Sequence, residues 1–120
     1  MNPEIKVLWV KALRSGKYRQ GKHTLGKPGR CAAHGAKFCC MGVLCELAVD
    51  AGIIERKVIL TSQREEIYEY GGRSVFVPVE VEVWAGLQET NPLASQRTLA
   101  KHNDKGESFS SIAEIIDANL

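Results

Sequence analysis

All four cysteines of this chain, Cys31, Cys39, Cys40 and Cys45, fall with His34 inside one stretch, RCAAHGAKFCCMGVLCELA, residues 30–48. Thiols and an imidazole gathered in this way invite three readings: a zinc site, a redox or nucleophilic cysteine, or a buried helix in which small sulfur side chains are packing units. A structural zinc site takes four ligands, commonly delivered as two short-spaced pairs. Cys31 and His34 make one such pair. The second would have to be the adjacent Cys39 and Cys40, or Cys40 and Cys45, five apart on an expected helix and pointing to different sides. A tetrahedron is badly served by either. No Cys-x-x-Cys pair is present for redox work, and no signature sets a histidine beside any one cysteine. We therefore read Cys40 and Cys45 as core residues with Met41, Leu44 and Leu47 around them, and expect neither a metal nor a cofactor.

Other chemistries are weakly served. The glycines form neither G-x-x-x-x-G-K-[ST] nor a G-x-G-x-x-G after a strand, so they read as turns rather than phosphate loops. The carboxylate pairs Glu65 with Glu66 and Glu80 with Glu82 have no apolar pocket to raise one pKa above the other, and read as solvated surface. The run KHNDKGES, 101–108, reads as an Asx-type turn before the last helix. There Asn103 and Asp104 offer donors and acceptors next to backbone amides that favour anions.

Charge is unevenly spread. Residues 1–37 hold nine lysines and arginines against Glu4 alone, a balance of +8, whereas the remainder of the chain carries −6. A solvated basic face, an anionic ligand, a nucleic acid, or self-association of a basic with an acidic surface would each fit such a split. Nucleic acid is not expected: Tyr18 is the sole aromatic among the basic residues from Arg14 to Lys37, so stacking platforms are missing, and no helix-turn-helix or zinc finger is recognisable. A small anionic nucleotide needs only a few convergent cations and an aromatic wall, which Lys17, Arg19, Arg73, Tyr70 and Phe76 can supply, with Asn103 and Asp104 for ribose or base edges.

The elements that must position these residues follow from capping and periodicity. At 120 residues, 44% hydrophobic and 25% charged, the chain has the dimensions of one globular domain spanning 1–120. No apolar run approaches the ~20 residues that span a bilayer, so no membrane insertion is expected. The N-terminus lacks the continuous apolar core of a signal peptide, so the cytoplasm is the expected compartment. Asn2 as cap, Pro3, Glu4, and Ile5, Leu8, Trp9, Ala12 and Leu13 at helical spacing predict a first helix stopped at Ser15 and Gly16. YRQGKHTLGKPGR reads as loop or short extended pieces, and CCMGVLCELAVDAG as a central helix closed by Gly52. KVILTS is expected as a buried strand, and EEIYEY with RSVFVP as a hairpin turning at Gly71 and Gly72. PVEVEVWAGL alternates like a strand, but Pro78 and Gly86 frame it as a short helix. SFSSIAEIIDANL closes the chain as a helix capped by Ser108, with Phe109, Ile112, Ala113, Ile115 and Ile116 inward. The expected fold is α+β, a small antiparallel sheet packed with about four short helices.

In order along the chain, ALRSGKYRQGKHTL, FCCMGVLCELA, VWAGL, NPL and HNDKGESFSSIAEIID resemble the small proteins of tailed bacteriophages that share a CCxGVLC helix and a closing NDxGxSFxxIA segment. Within that neighbourhood the chain is similar to the phage anti-defence sponges that sequester cyclic-ADP-ribose-type signals of the Thoeris system. The resemblance implies a non-enzymatic homo-oligomer in the cytoplasm of an infected bacterium, binding a small cyclic nucleotide between subunits. The segments KPGRCAAHGAKF and VEVEV depart from the pattern, and no binding residue is carried over from the sponges. Two other functions fit the residues: a basic N-terminal part that occludes a host protein or nucleic acid, and a phosphodiesterase using His23 or His102.

Overall fold

A computed structural model describes residues 1–29, 35–88 and 91–120. It is an α+β fold, with five helices and two small sheets among the described residues. Helix α1 (Pro3–Arg14) starts where the side chain of Asn2 accepts the amides of Glu4 and Ile5. It buries Ile5, Trp9, Val10 and Leu13. Leu8, which shares their helical spacing, lies on the outer face and is 50% exposed. The indole of Trp9 donates to the carbonyl of Cys40 at 3.0 Å and so joins α1 to the start of α2 (Cys40–Asp50).

Helix α2 is the centre of the molecule. Every residue from Cys40 to Cys45 is buried, because α1, α3 and α4 pack around it. At Gly42 the backbone of Leu25 crosses the helix so closely that a Cβ would fall 1.7 Å from the Leu25 carbonyl oxygen. Only glycine fits this crossing. Leu25 leads directly into a three-stranded sheet in the order β1-β3-β2: β1 (Arg19–Gln20) runs parallel to β3 (Lys37–Phe38), and β2 (Gly26–Lys27) antiparallel to it. The expected short extended pieces are thus present, in a mixed sheet.

The second sheet corrects the expected pairing. Strand β4 (Arg56–Leu60) pairs antiparallel with β5 (Glu66–Tyr70), and RSVFVP is not its partner strand. Gly71 and Gly72, at φ +55° and +84°, do form a tight turn closed by two hydrogen bonds between Tyr70 and Arg73. Beyond it, however, the backbone is engaged elsewhere: Leu25 N–H donates to the Ser74 carbonyl at 2.7 Å, and Val77 N–H to the Gln96 side chain at 2.6 Å. Strand β4 is also exposed rather than buried, with Val58 at 54% and Leu60 at 67%.

Helix α3 (Val79–Ala85) fulfils the helical reading of VEVEV. Val81 and Ala85, one turn apart, face inward at 0% exposure, while Val79 and Val83 face out. Gly86 closes it at φ +65°, and the Asn2 amide donates to the Ala85 carbonyl. Helix α4 (Gln96–Asp104) was not anticipated and raises the helix count above the expected four. Its last turn holds Asn103 and Asp104, which therefore end a helix instead of forming a free Asx turn. Helix α5 (Phe109–Asn119), capped by Ser108 as expected, packs on α1 and α4. No helix among the described residues is long and apolar enough to cross a membrane.

Candidate functional site

The structure separates the seven residues named from sequence. Asn103 is wholly buried at the meeting of α4, α2 and β1. Its carbonyl oxygen accepts from Cys40 N–H at 3.1 Å and from the Gln20 amide at 3.0 Å, and its own amide donates to Gly21 O at 2.8 Å. This is a structural joint whose polar groups face one another, not a ribose. Asp104 beside it accepts the His23 backbone amide at 3.0 Å and lies 3.5 Å from the His23 ring. His102 lies likewise against Glu107, at 2.6 Å.

Tyr70 is also core, with 0% exposure. Its hydroxyl donates to one Glu46 oxygen at 2.7 Å, while Arg56 donates to the other at 2.7 Å and stacks over Tyr68 at 4.3 Å. Burial, reinforced by the bond to Glu46, pushes the Tyr70 hydroxyl well above its ordinary pKa. A ring held in this way fastens the hairpin to α2 and presents no face to a base. Lys17 and Arg19 are exposed; Lys17 lies 5.3 Å over the ring of Tyr18, which itself packs edge-on against Phe38.

The thiols bear out the core reading of Cys40 and Cys45. Both are fully buried, and burial raises both far above the ordinary thiol pKa. Cys39 caps α2, its sulfur accepting the Gly42 amide at 3.3 Å, and burial pushes it up to about 11. Neutral thiols of this kind are poor nucleophiles and poor metal ligands. Cys31 and His34 lie outside the described residues.

Arg73 and Phe76 are the pair that the fold brings together. They line one groove of about 460 Å³ with Glu82, Ser95, Gln96 and Arg97; the other five sequence-predicted residues do not line it. Arg73 follows the Gly71-Gly72 turn, Phe76 sits in the connection to α3, and Ser95 to Arg97 are the cap and first residues of α4. Phe76 is 47% exposed, more than any other aromatic side chain among the described residues. Gln96, only 9% exposed, fixes the wall: its oxygen accepts Val77 N–H at 2.6 Å and its amide donates to Glu82 at 3.3 Å.

The groove thus offers two guanidiniums, an uncovered aromatic ring, a carboxylate acceptor and the positive end of a nine-residue helix. Its volume falls in the range of small-molecule sites. Sequence reasoning missed Gln96 and Arg97 because it missed α4. The signal present was Ser95 three residues before Thr98, whose amide it accepts at 3.2 Å, with Leu99 and Asn103 one turn apart.

No curated protein and no solved structure matches the chain. One family model matches residues 1–120, the full sequence, and the chain belongs to that family, described as Domain of unknown function (DUF8296).

Proposed function

We propose that the protein is a non-catalytic binding module that captures a small anionic nucleotide in the groove between the Gly71-Gly72 turn, α3 and α4. The observation that carries this reading is the presence of Arg73, Arg97 and the exposed ring of Phe76 on one groove at the start of α4. In this reading the arginines take phosphate oxygens, the ring stacks on a base, and Glu82 accepts from a ribose hydroxyl or a base N–H. The resemblance to phage anti-defence sponges narrows the ligand to a cyclic nucleotide immune signal, of the cyclic-ADP-ribose or cyclic-oligonucleotide kind, sequestered in the cytoplasm of the infected bacterium.

Purified protein is incubated with a panel of ADP-ribose isomers and cyclic di- and trinucleotides, filtered, and the filtrate chromatographed before and after heating. Depletion of one compound with its intact return on heating is the expected result. Return as a new product would instead mean catalysis, and no depletion would shift the reading to a macromolecular target of the basic segment. Arg97→Ala and Phe76→Ala are each expected to weaken capture at least about tenfold, the worth of one charge-assisted bond or one stacked base.

A further inference from the structure

Helix α3 shows solvent an apolar pair that none of the described residues covers: Val79 is 52% exposed and Val83 75%. The two lie one turn apart on the same side of the helix, with Glu80 also exposed beside them. From Ser74 to Gln88 the chain has no basic residue, so α3 itself sets only acidic charge beside these valines, Arg73 and Arg97 lying in the groove on its Glu82 side.

At the far end of α1 lies a surface of matching chemistry. A groove of about 570 Å³, lined by Val7, Val10, Lys11, Arg14, Ser15 and Asp117, runs beside α1 at its packing with α5. Val7, Lys11 and Arg14 make a stripe along one side of the helix, Val7 is 65% exposed, and the neighbouring Leu8 is 50% exposed. Asp117 is already engaged by Lys6, whose ammonium lies 3.8 Å from its carboxylate and donates to its carbonyl at 2.9 Å. Asp117, 61% exposed, is the one acid of this lining and stands against Lys11 and Arg14, so the groove carries a net positive charge.

We infer that the α3 ridge of one copy seats in the α1 groove of a second copy, the two valines on the apolar floor and Glu80 beside Lys11 and Arg14. Complementarity of charge and of apolar surface on two different patches of one chain selects another copy as the occupant. The α3 ridge and the α1 groove share no residue, so unless two copies seat each other's ridge reciprocally the contact is heterologous: it propagates head to tail and closes into a ring if the rotation permits. The mode is that of an amphipathic helix laid in a groove. It does not depend on the nucleotide reading, and its test contains no nucleotide.

Sedimentation velocity and light scattering of three proteins decide it. Wild type is expected to assemble beyond a monomer. Val83→Arg, which places a cation against Lys11 and Arg14, and the double variant Lys11→Glu with Arg14→Glu are each expected to be monomeric, with unchanged far-UV circular dichroism because all three positions are exposed. An equimolar mixture of the two variants should regain association, since one supplies an intact groove and the other an intact ridge. A monomeric wild type at 100 μM would overturn the inference. So would a variant that still assembles alone, which would point to the exposed β4 edge, or a mixture that stays monomeric.

Discussion

Helices α2 and α3 are both built largely from valine and other small apolar residues, yet they serve the molecule in different ways. In α2 every residue from Cys40 to Cys45 is buried, and the Cys40 backbone is engaged at both ends, its amide by Asn103 and its carbonyl by Trp9. In α3 carboxylates alternate with valines, so only Val81 and Ala85 turn inward while Val79 and Val83 remain in solvent. Burial of these six residues leaves the first half of α2 no surface with which to bind anything. The surface that α3 cannot bury, together with Phe76 and the arginines near it, is where recognition is available. Under the proposed reading stability and ligand capture are divided between two regions, and substitutions in each should move different observables.

The largest effect is expected at Gly42. Replacement by alanine puts a methyl group into the Leu25 backbone, and the loss should exceed about 3 kcal/mol in chemical denaturation. A small loss would mean that Leu25 can retreat and that the α2 surroundings are softer than the comparison holds. Asn103→Ala should follow at about 3 kcal/mol, because Cys40 N–H, the Gln20 amide and Gly21 O all lose a partner at once.

Alkaline pH probes the same buried region without mutation. Cys39 ionises near 9.0 when unfolded and at about 11 when folded, so the native state holds its proton longer. Stability from this group is complete below pH 9 and is lost as pH rises, by about 1.4 kcal/mol per unit up to the folded value. Cys40, Cys45 and Tyr70 are raised in the same direction, so the slope of unfolding free energy against pH should correspond to more than one proton. A slope of one proton or fewer above pH 9 would contradict the burial described for α2. The smallest expected effect sharpens the contrast: Phe76→Ala should change stability by no more than about 0.5 kcal/mol while losing nucleotide capture. A large loss of stability there would make Phe76 a packing residue.

Much of the helical framework was legible from local signals. Asn2 and Ser108 cap the helices they were expected to cap, and Pro78 with Gly86 correctly outweighed the two-residue alternation of VEVEV. The hairpin partner of β5 was not legible, because KVIL and SVFV are equally apolar and β-branched. What separates them is that Ser74 and Val77 bond to Leu25 and Gln96, residues distant in the chain. Helix α4 was missed for a related reason. QRTLAKHND carries little apolar periodicity, and it is held as a helix by Leu99 and Asn103 docking on α2.

Of the residues named for a site from their type alone, Arg73 and Phe76 line one groove, whereas Tyr70 and Asn103 are drawn into the core. Residue type reports what a side chain can do, and exposure decides whether it is free to do it. By itself the sequence determined the α+β class, the capped helices, the buried cysteines and the separation of basic from acidic segments, because these depend on neighbours within a few turns. Only the tertiary structure decided which strands pair, which tyrosine and which asparagine are sealed, and that Arg97 lines the groove with Arg73. Each of those outcomes depends on backbone hydrogen bonds and burial between residues far apart in the chain, which no local pattern encodes.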